Sequence, residues 1–307
     1  MKKIITILTT LLFVFGLTGC LNAEEEVSVI VPTGTPSLGI ARALEEEFIK
    51  ENIVSGSDPL IAAFTNSNYD IVVAPVNLGV KFYNENENFG YQLYETIVWG
   101  NYYLASTAPL DTFDALAGKT ITVFGKNSTP DVVLRTLLAV KQLEVTLEYV
   151  DDVNTANAYL MSGKADIIVS AEPSITKLSS NKEIYTLDLQ KEWASITGSY
   201  SFPQAGIFVK KERKDNASVQ AALDQMIASI HLIETNPNRV VQSAVAVDEN
   251  LAKITEQVLQ QAILKCNLRI DQHNQDAITF YLNKVLELGL GKTIGGKIPD
   301  EAFYYQK

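Results

Sequence analysis

The order of apolar and polar positions divides the chain into short strands and amphipathic helices. Residues 27–31 are a short apolar run and predict a strand. A Gly/Thr loop over 32–37 follows, and 38–50 have helical spacing. Residues 53–58 read as a loop, 59–66 as a short helix and 71–74 as a second strand. The loop 75–77 then leads to a helix capped by Asn77 that runs to Asn84. Residues 91–99 and 102–106 alternate aromatic and aliphatic side chains, as strands do. The strand 120–124 feeds the loop 125–127 and a helix opened by Ser128-Thr129-Pro130-Asp131. Ser128 suits an N-cap, Pro130 the first turn, and Asp131 the positive end of the helix dipole. Strands at 145–150, 167–170, 184–189 and 204–210 alternate with helices at 151–162 and 173–180. From Asp215 onward the spacing is helical, over 219–233, 240–247, 250–264 and 272–290.

Two units repeat in this pattern. VSVIVPTGTPSLGIARAL from Val27 and KTITVFGKNSTPDVVLRTLL from Lys119 share a strand, a polar loop, a Thr-Pro pair and a helix. Each is followed, at nearly the same spacing, by Asp, an apolar strand, a loop and a helix, in which Asp70 and Lys81 match Asp166 and Lys177. The repetition predicts two similar α/β lobes. Alternating strands and helices predict mostly parallel sheets, with a helical C-terminal tail. The expected lobe I is 27–105 plus 204–307, with the tail packed there, and lobe II is 106–203. Two crossings between lobes make a hinge, which closes over something small.

The N-terminus stands apart from this pattern. Lys2 and Lys3 precede an apolar run over 4–17, and Leu17-Thr18-Gly19-Cys20 has the form of a bacterial lipobox. The expectation is a signal peptide at 1–19, lipidation of Cys20 and a polar tether over 20–26. The protein would be extracytoplasmic, held to the bacterial cell membrane by its lipid. A net charge of −11 argues against nucleic-acid binding, because phosphates are repelled. Beyond Cys20 only Cys266 remains, so no disulfide can form within the mature chain.

Catalytic chemistry is thin. The two histidines, His231 and His273, both fall in predicted tail helices. No HExxH, CxxC or GxSxG occurs, and no EF-hand loop. Gly291-Lys292-Thr293 has the end of a phosphate loop, but Leu286 stands where its first Gly is required. No catalytic residue, metal site or cofactor is expected. The informative residues lie in loops at strand ends: Gly34, Thr35, Pro36 and Ser37; Pro75, Val76 and Asn77; Ser128 and Thr129; and Glu172. Three of these loops feed helix N-termini, whose free N–H groups suit an oxyanion or carbonyl. Glu172 suits an amine, amidine or hydroxyl. Each residue also fits a simple capping role; the fourfold pattern favours a binding cleft. Trp99 and Tyr102 near the first crossing, and Tyr200 and Phe202 near the second, could stack on a ligand ring or be core packing.

The lipobox, GTPS at Gly34, DIVVAPVN at Asp70, GKNSTPD at Gly125, GKADIIVSAEP at Gly163 and QAGIFVKK at Gln204 together resemble a known family. It is the substrate-binding lipoproteins of ABC importers, of the nitrate/sulfonate/taurine and thiamine-pyrimidine-precursor type. The resemblance implies a type II periplasmic-binding-protein fold, two α/β lobes closing on a small organic solute. It also implies a monomer that docks on a membrane permease driven by an ATPase. Apart from Lys126, the loops lack the Arg or Lys expected of sulfonate and nitrate binders, which points to a neutral or amine-bearing solute. Two rivals remain: an enzyme of the same fold, as in the menaquinone and thiamine-pyrimidine pathways, and a sensor or interaction lipoprotein.

Overall fold

The computed structural model describes residues 25–198, 201–270 and 274–306. The expected signal peptide, Cys20, Tyr200 and His273 lie outside the described residues. The chain begins with β1 (Val27–Pro32), α1 (Thr35–Leu44), β2 (Ile49–Val54), α2 (Asp58–Asn66), β3 (Ile71–Pro75), α3 (Val76–Glu85) and β4 (Tyr91–Val98). It continues through β5 (Tyr102–Ser106), β6 (Thr120–Phe124), α4 (Thr129–Val140), β7 (Thr146–Val150) and α5 (Val153–Ser162). Next come β8 (Ile167–Ala171), α6 (Ser174–Asn181), β9 (Tyr185–Asp188), α7 (Leu189–Thr197) and β10 (Ala205–Lys210). The tail contains α8 (Ala217–Thr235), α9 (Pro237–Val247), α10 (Glu256–Ile263) and α11 (Asn274–Glu287).

Two five-stranded sheets form, in the orders β2-β1-β3-β10-β4 and β7-β6-β8-β5-β9. β1 runs parallel to β2 and β3, and β6 runs parallel to β7 and β8. Each parallel core is completed by an antiparallel strand that has just arrived from the other lobe. β10 pairs between β3 and β4, and β5 pairs between β8 and β9. The duplicated pattern is therefore a type II periplasmic-binding-protein-like fold, and each lobe is stitched to the other by a strand exchanged at the hinge.

The structure corrects several sequence expectations. β5 belongs to the second sheet, so the first crossing is Gly100-Asn101 rather than the neighbourhood of residue 106. Gly100 makes the turn at φ +68°, and a Cβ there would come within 2.7 Å of the Phe202 ring. The first helix ends at Leu44, not Lys50, and the sequence IKENIV forms edge strand β2. Its three exposed central residues look polar and helix-compatible, but Ile49 is buried against β1. α7 was not foreseen; it is held by Asp188, whose side chain accepts from the N–H groups of Gln190 and Lys191. The predicted 250–264 helix is broken into a single turn at Leu251–Lys253 followed by α10.

The tail is not confined to lobe I either. α8 and α9 pack on α1. α11 instead reaches lobe II, where Tyr281 packs on Trp193 of α7 with ring centroids 5.7 Å apart. The chain then returns, and Tyr304 bridges to Leu93 of β4. One apolar cluster consequently runs through both lobes. It links Val72 and Phe208 of the first sheet to Leu104 and Ile121 of the second, through Tyr102, Phe202 and Tyr281.

Candidate functional site

The carboxyl ends of β1, β3, β6, β7 and β8 converge between the lobes, the position at which open α/β sheets bind ligands. There they line an inner cavity of about 180 Å³. Thr35 and Pro75 face it from lobe I, and Tyr102, Phe124, Ser128 and Glu172 from lobe II. The N-termini of α1, α4, α5 and α6 border the same space. An adjoining outer cavity of about 460 Å³ shares Ser57, Pro75 and Ser128 with it and adds Asn77.

The expected site residues divide into three groups. Gly34, Thr35, Pro36, Pro75, Asn77, Ser128 and Glu172 all border one or both inter-lobe cavities. Ser37, Val76 and Thr129 are buried beside them without lining either one. The Ser37 hydroxyl donates to Asp248 at 2.6 Å, and the Val76 N–H donates to the Gln204 carbonyl at 3.1 Å. Trp99 is the correction. It is fully buried at the end of β4, its backbone N–H donates to the Asn267 carbonyl, and it reaches neither cavity. The aromatic side that faces the inner cavity is Tyr102 with Phe124, backed by Phe202, which stacks on Tyr102 at 5.8 Å. Trp99 lies before the turn at Gly100 and Tyr102 after it, so Trp99 packs with lobe I and Tyr102 with lobe II.

Polar contacts cross the gap directly. The Thr35 hydroxyl donates to the Glu172 carbonyl at 2.7 Å and accepts from the Asn101 amide at 2.6 Å. Thr129 donates its hydroxyl proton to Asn77 Oδ1 at 3.1 Å, while Asn77 Nδ2 donates to the Asn127 carbonyl at 3.2 Å. Asn77 thus caps no helix. Pro75 occupies the N-cap of α3, which leaves the Asn77 amide free to span the lobes. Glu172 is 4 % exposed; its Oε1 accepts from Thr176 at 2.9 Å, and its Oε2 has no partner. Burial pushes its carboxyl above the ordinary value of 4.5, opposed by the Thr176 hydroxyl and the nearby Lys265.

Three functional candidates escaped the sequence: Lys81, Lys292 and Asp248. Lys81 of α3, Lys126 of the β6–α4 loop and Lys292 of the tail all border the outer cavity, and no carboxylate does among the described residues. Lys292 belongs to the rejected GKT, and Lys81 stood out only as the echo of Lys177. Their convergence depends on tertiary placement: the turn Gly291–Ile294 packs against α3. The cleft loops contribute only Lys126, and the two further cations come from α3 and the tail. The third is Asp248, which is 1 % exposed. It accepts from the hydroxyls of Thr33 and Ser37 and from the N–H groups of Asn250 and Leu251, fixing the β1–α1 loop to the tail. His231 is exposed on α8 and borders neither cavity. The buried Cys266 thiol lies 3.6 Å from the Thr35 hydroxyl, and burial pushes it far up.

The sequence model for menaquinone biosynthesis matches residues 101–287, more than half of the chain. The chain belongs to the menaquinone-biosynthesis family. Enzymes of the menaquinone pathway are among the rivals of the same fold that the sequence leaves open. The match starts within the first hinge crossing and takes in the whole second sheet, the second crossing and α8 to α11. No curated protein matches the sequence. Among solved structures, an ABC transporter from Parabacteroides distasonis is similar at 22% identity and a TM-score of 0.74, covering 92% of this chain and 99% of its own. The periplasmic aliphatic sulphonate binding protein SsuA from Escherichia coli superposes at a TM-score of 0.65 and 13% identity, covering 87% and 86%. The alkanesulfonate-binding protein SsuA from Xanthomonas axonopodis pv. citri, bound to MOPS, gives 0.65 and 16%, covering 89% and 94%. This menaquinone-biosynthesis family member therefore has the fold of the nitrate/sulfonate-type binding proteins named from its sequence.

Proposed function

We propose that the chain is the solute-binding component of an ABC importer and that it takes one small organic anion between its lobes. The observation that carries this reading is the joined pair of inter-lobe cavities, one walled by Tyr102 and Phe124 and the other by Lys81, Lys126 and Lys292. An apolar or aromatic body would occupy the inner space. Its carboxylate or sulfonate would face the three ammonium groups and the N-terminus of α4, whose first N–H groups receive no side-chain cap. Asn77 would switch between bridging the lobes and touching the solute. In this reading Cys20 carries a lipid, the protein works outside the cytoplasm as a monomer, and a permease with its ATPase receives the closed form. Among the described residues no helix is long and apolar enough to cross a membrane, so attachment would fall to the lipid. Titration of the purified protein with a panel of aliphatic and aromatic carboxylates and sulfonates tests this. At least one should bind with one-to-one stoichiometry, and Lys126→Ala with Lys292→Ala should weaken it tenfold or more. Equal affinity in that double variant would overturn the anion assignment.

The family match over residues 101–287 favours a second reading, an enzyme acting on a small metabolite in the same cleft. Its acid–base group would be drawn from Asp151, Asp152 and Glu172, which border the inner cavity. Asp152 is already engaged as the cap of α5, accepting from Thr155 at 2.9 Å. Conversion of a bound compound by the purified protein would establish this reading.

A further inference from the structure

The carboxylate of Glu172 is not accounted for by the front cleft. The front-facing group with a defined role is the Glu172 carbonyl, which accepts from Thr35. The carboxylate bonds to Thr176, which borders a different cavity, a rear crevice of about 450 Å³. Front and rear lie on opposite faces of β5, because consecutive strand side chains alternate: Tyr102 lines the inner cavity and Tyr103 the rear crevice. Among the described residues Glu172 alone borders both.

Two features mark the rear crevice as a built site. Glu172 is 96 % buried there, yet its Oε2 accepts no hydrogen bond, which is costly for a carboxylate oxygen unless a donor completes it. The opposite wall is α10, which presents Lys265 and Gln261. The Lys265 ammonium acts on Glu172 electrostatically but forms no ion pair with it among the described residues. A carboxylate and an ammonium thus face one crevice without satisfying each other. The walls also belong to different lobes. α6 is part of lobe II, whereas α10 shares an apolar cluster with Leu38 and Ala41 of α1.

We propose that the rear crevice is a second small-molecule site, and that it takes a compact zwitterion of the amino-acid class. Its ammonium completes Glu172 Oε2 and its carboxylate meets Lys265, with Gln261 and the Tyr103 hydroxyl supplying further polar contacts. The site is separate from the front cleft, and it stands whether the protein delivers a solute or transforms one. An occupant touching both walls holds the two lobes in one arrangement, so it acts on the front cleft through the hinge.

Calorimetric titration of the purified full chain with glycine, β-alanine and 4-aminobutyrate tests the proposal, with propylamine and propionate as half-molecule controls. At least one zwitterion should bind tenfold or more tightly than either control. Glu172→Gln and Lys265→Ala should each weaken that binding tenfold or more, whereas Lys126→Ala with Lys292→Ala should leave it unchanged. If Glu172→Gln does not fold, Lys265→Glu reverses a charge at an exposed position and should abolish binding by itself. Absence of binding for all three zwitterions overturns the proposal, as does binding that survives both rear substitutions. If the parent chain binds a zwitterion but none of the carboxylates or sulfonates, the functional reading alone is overturned.

Discussion

The two Thr-Pro junctions are nearly the same in sequence and differ in which part of the chain holds them. At the β1–α1 junction Thr35 and Ser37 are buried, and Asp248 from the tail pins the loop through Thr33 and Ser37. At the β6–α4 junction Lys126 and Asn127 are exposed, and Ser128 turns its hydroxyl back to the Gly125 carbonyl at 2.5 Å. One motif is therefore pinned from the tail in one lobe and by its own buried Asp131, which accepts from the Asn127 N–H at 2.8 Å, in the other, where Lys126 stays exposed at the cleft. The difference comes from the tail, which covers the first junction and leaves the second at the mouth of the cleft.

Substitutions at the two junctions sharpen this contrast. The largest effect belongs to Asp248→Ala, which takes a buried acceptor from two hydroxyls and two N–H groups. It should cost about 3 kcal/mol in a denaturant titration. Ser128→Ala, by contrast, should stay within about 0.5 kcal/mol of the parent. Next come the two threonines that reach across the gap. Thr35→Val removes a donor to Glu172 and an acceptor for Asn101, and should cost about 2 kcal/mol; Thr129→Val removes one bond to Asn77 and should cost about 1 kcal/mol. Equal losses would erase the distinction between the two junctions.

The smallest effect is a pH dependence. The folded state raises the Glu172 pKa through burial, so it holds that proton more tightly than the unfolded chain does. The resulting stabilisation is complete below the ordinary value of 4.5 and is lost as pH rises through the raised value. Thr176, Lys265, Cys266 and Tyr103 surround this group. Between about pH 4 and pH 8, the melting temperature of Glu172→Gln should therefore gain on that of the parent. Parallel pH profiles would show that Glu172 does not titrate in this interval.

Much of the fold was legible because it depends on local pattern. The apolar strands, the Thr-Pro helix starts and the repeat all read directly from Val27–Leu44 and Lys119–Leu138. The failures were tertiary. β2 is polar because it is an edge, and α11 is amphipathic in either lobe, so neither sequence declares its place. Trp99 and Tyr102 are equally aromatic, and only the turn at Gly100 assigns one to the core and the other to the cavity. Lys81 and Lys292 are far apart in sequence, and Asp248 carries no motif at all.

The central claim is that opposed strand-to-helix junctions grip one small molecule between the lobes. Native mass spectrometry of freshly purified protein, beside the Lys126→Ala, Lys292→Ala double variant, tests it most directly. The account predicts one low-mass anionic compound per parent chain, released on unfolding, and a double variant that has largely lost it. A compound retained equally by both proteins would contradict the account. So would a parent chain that carries nothing and gains no thermal stability from any carboxylate or sulfonate offered.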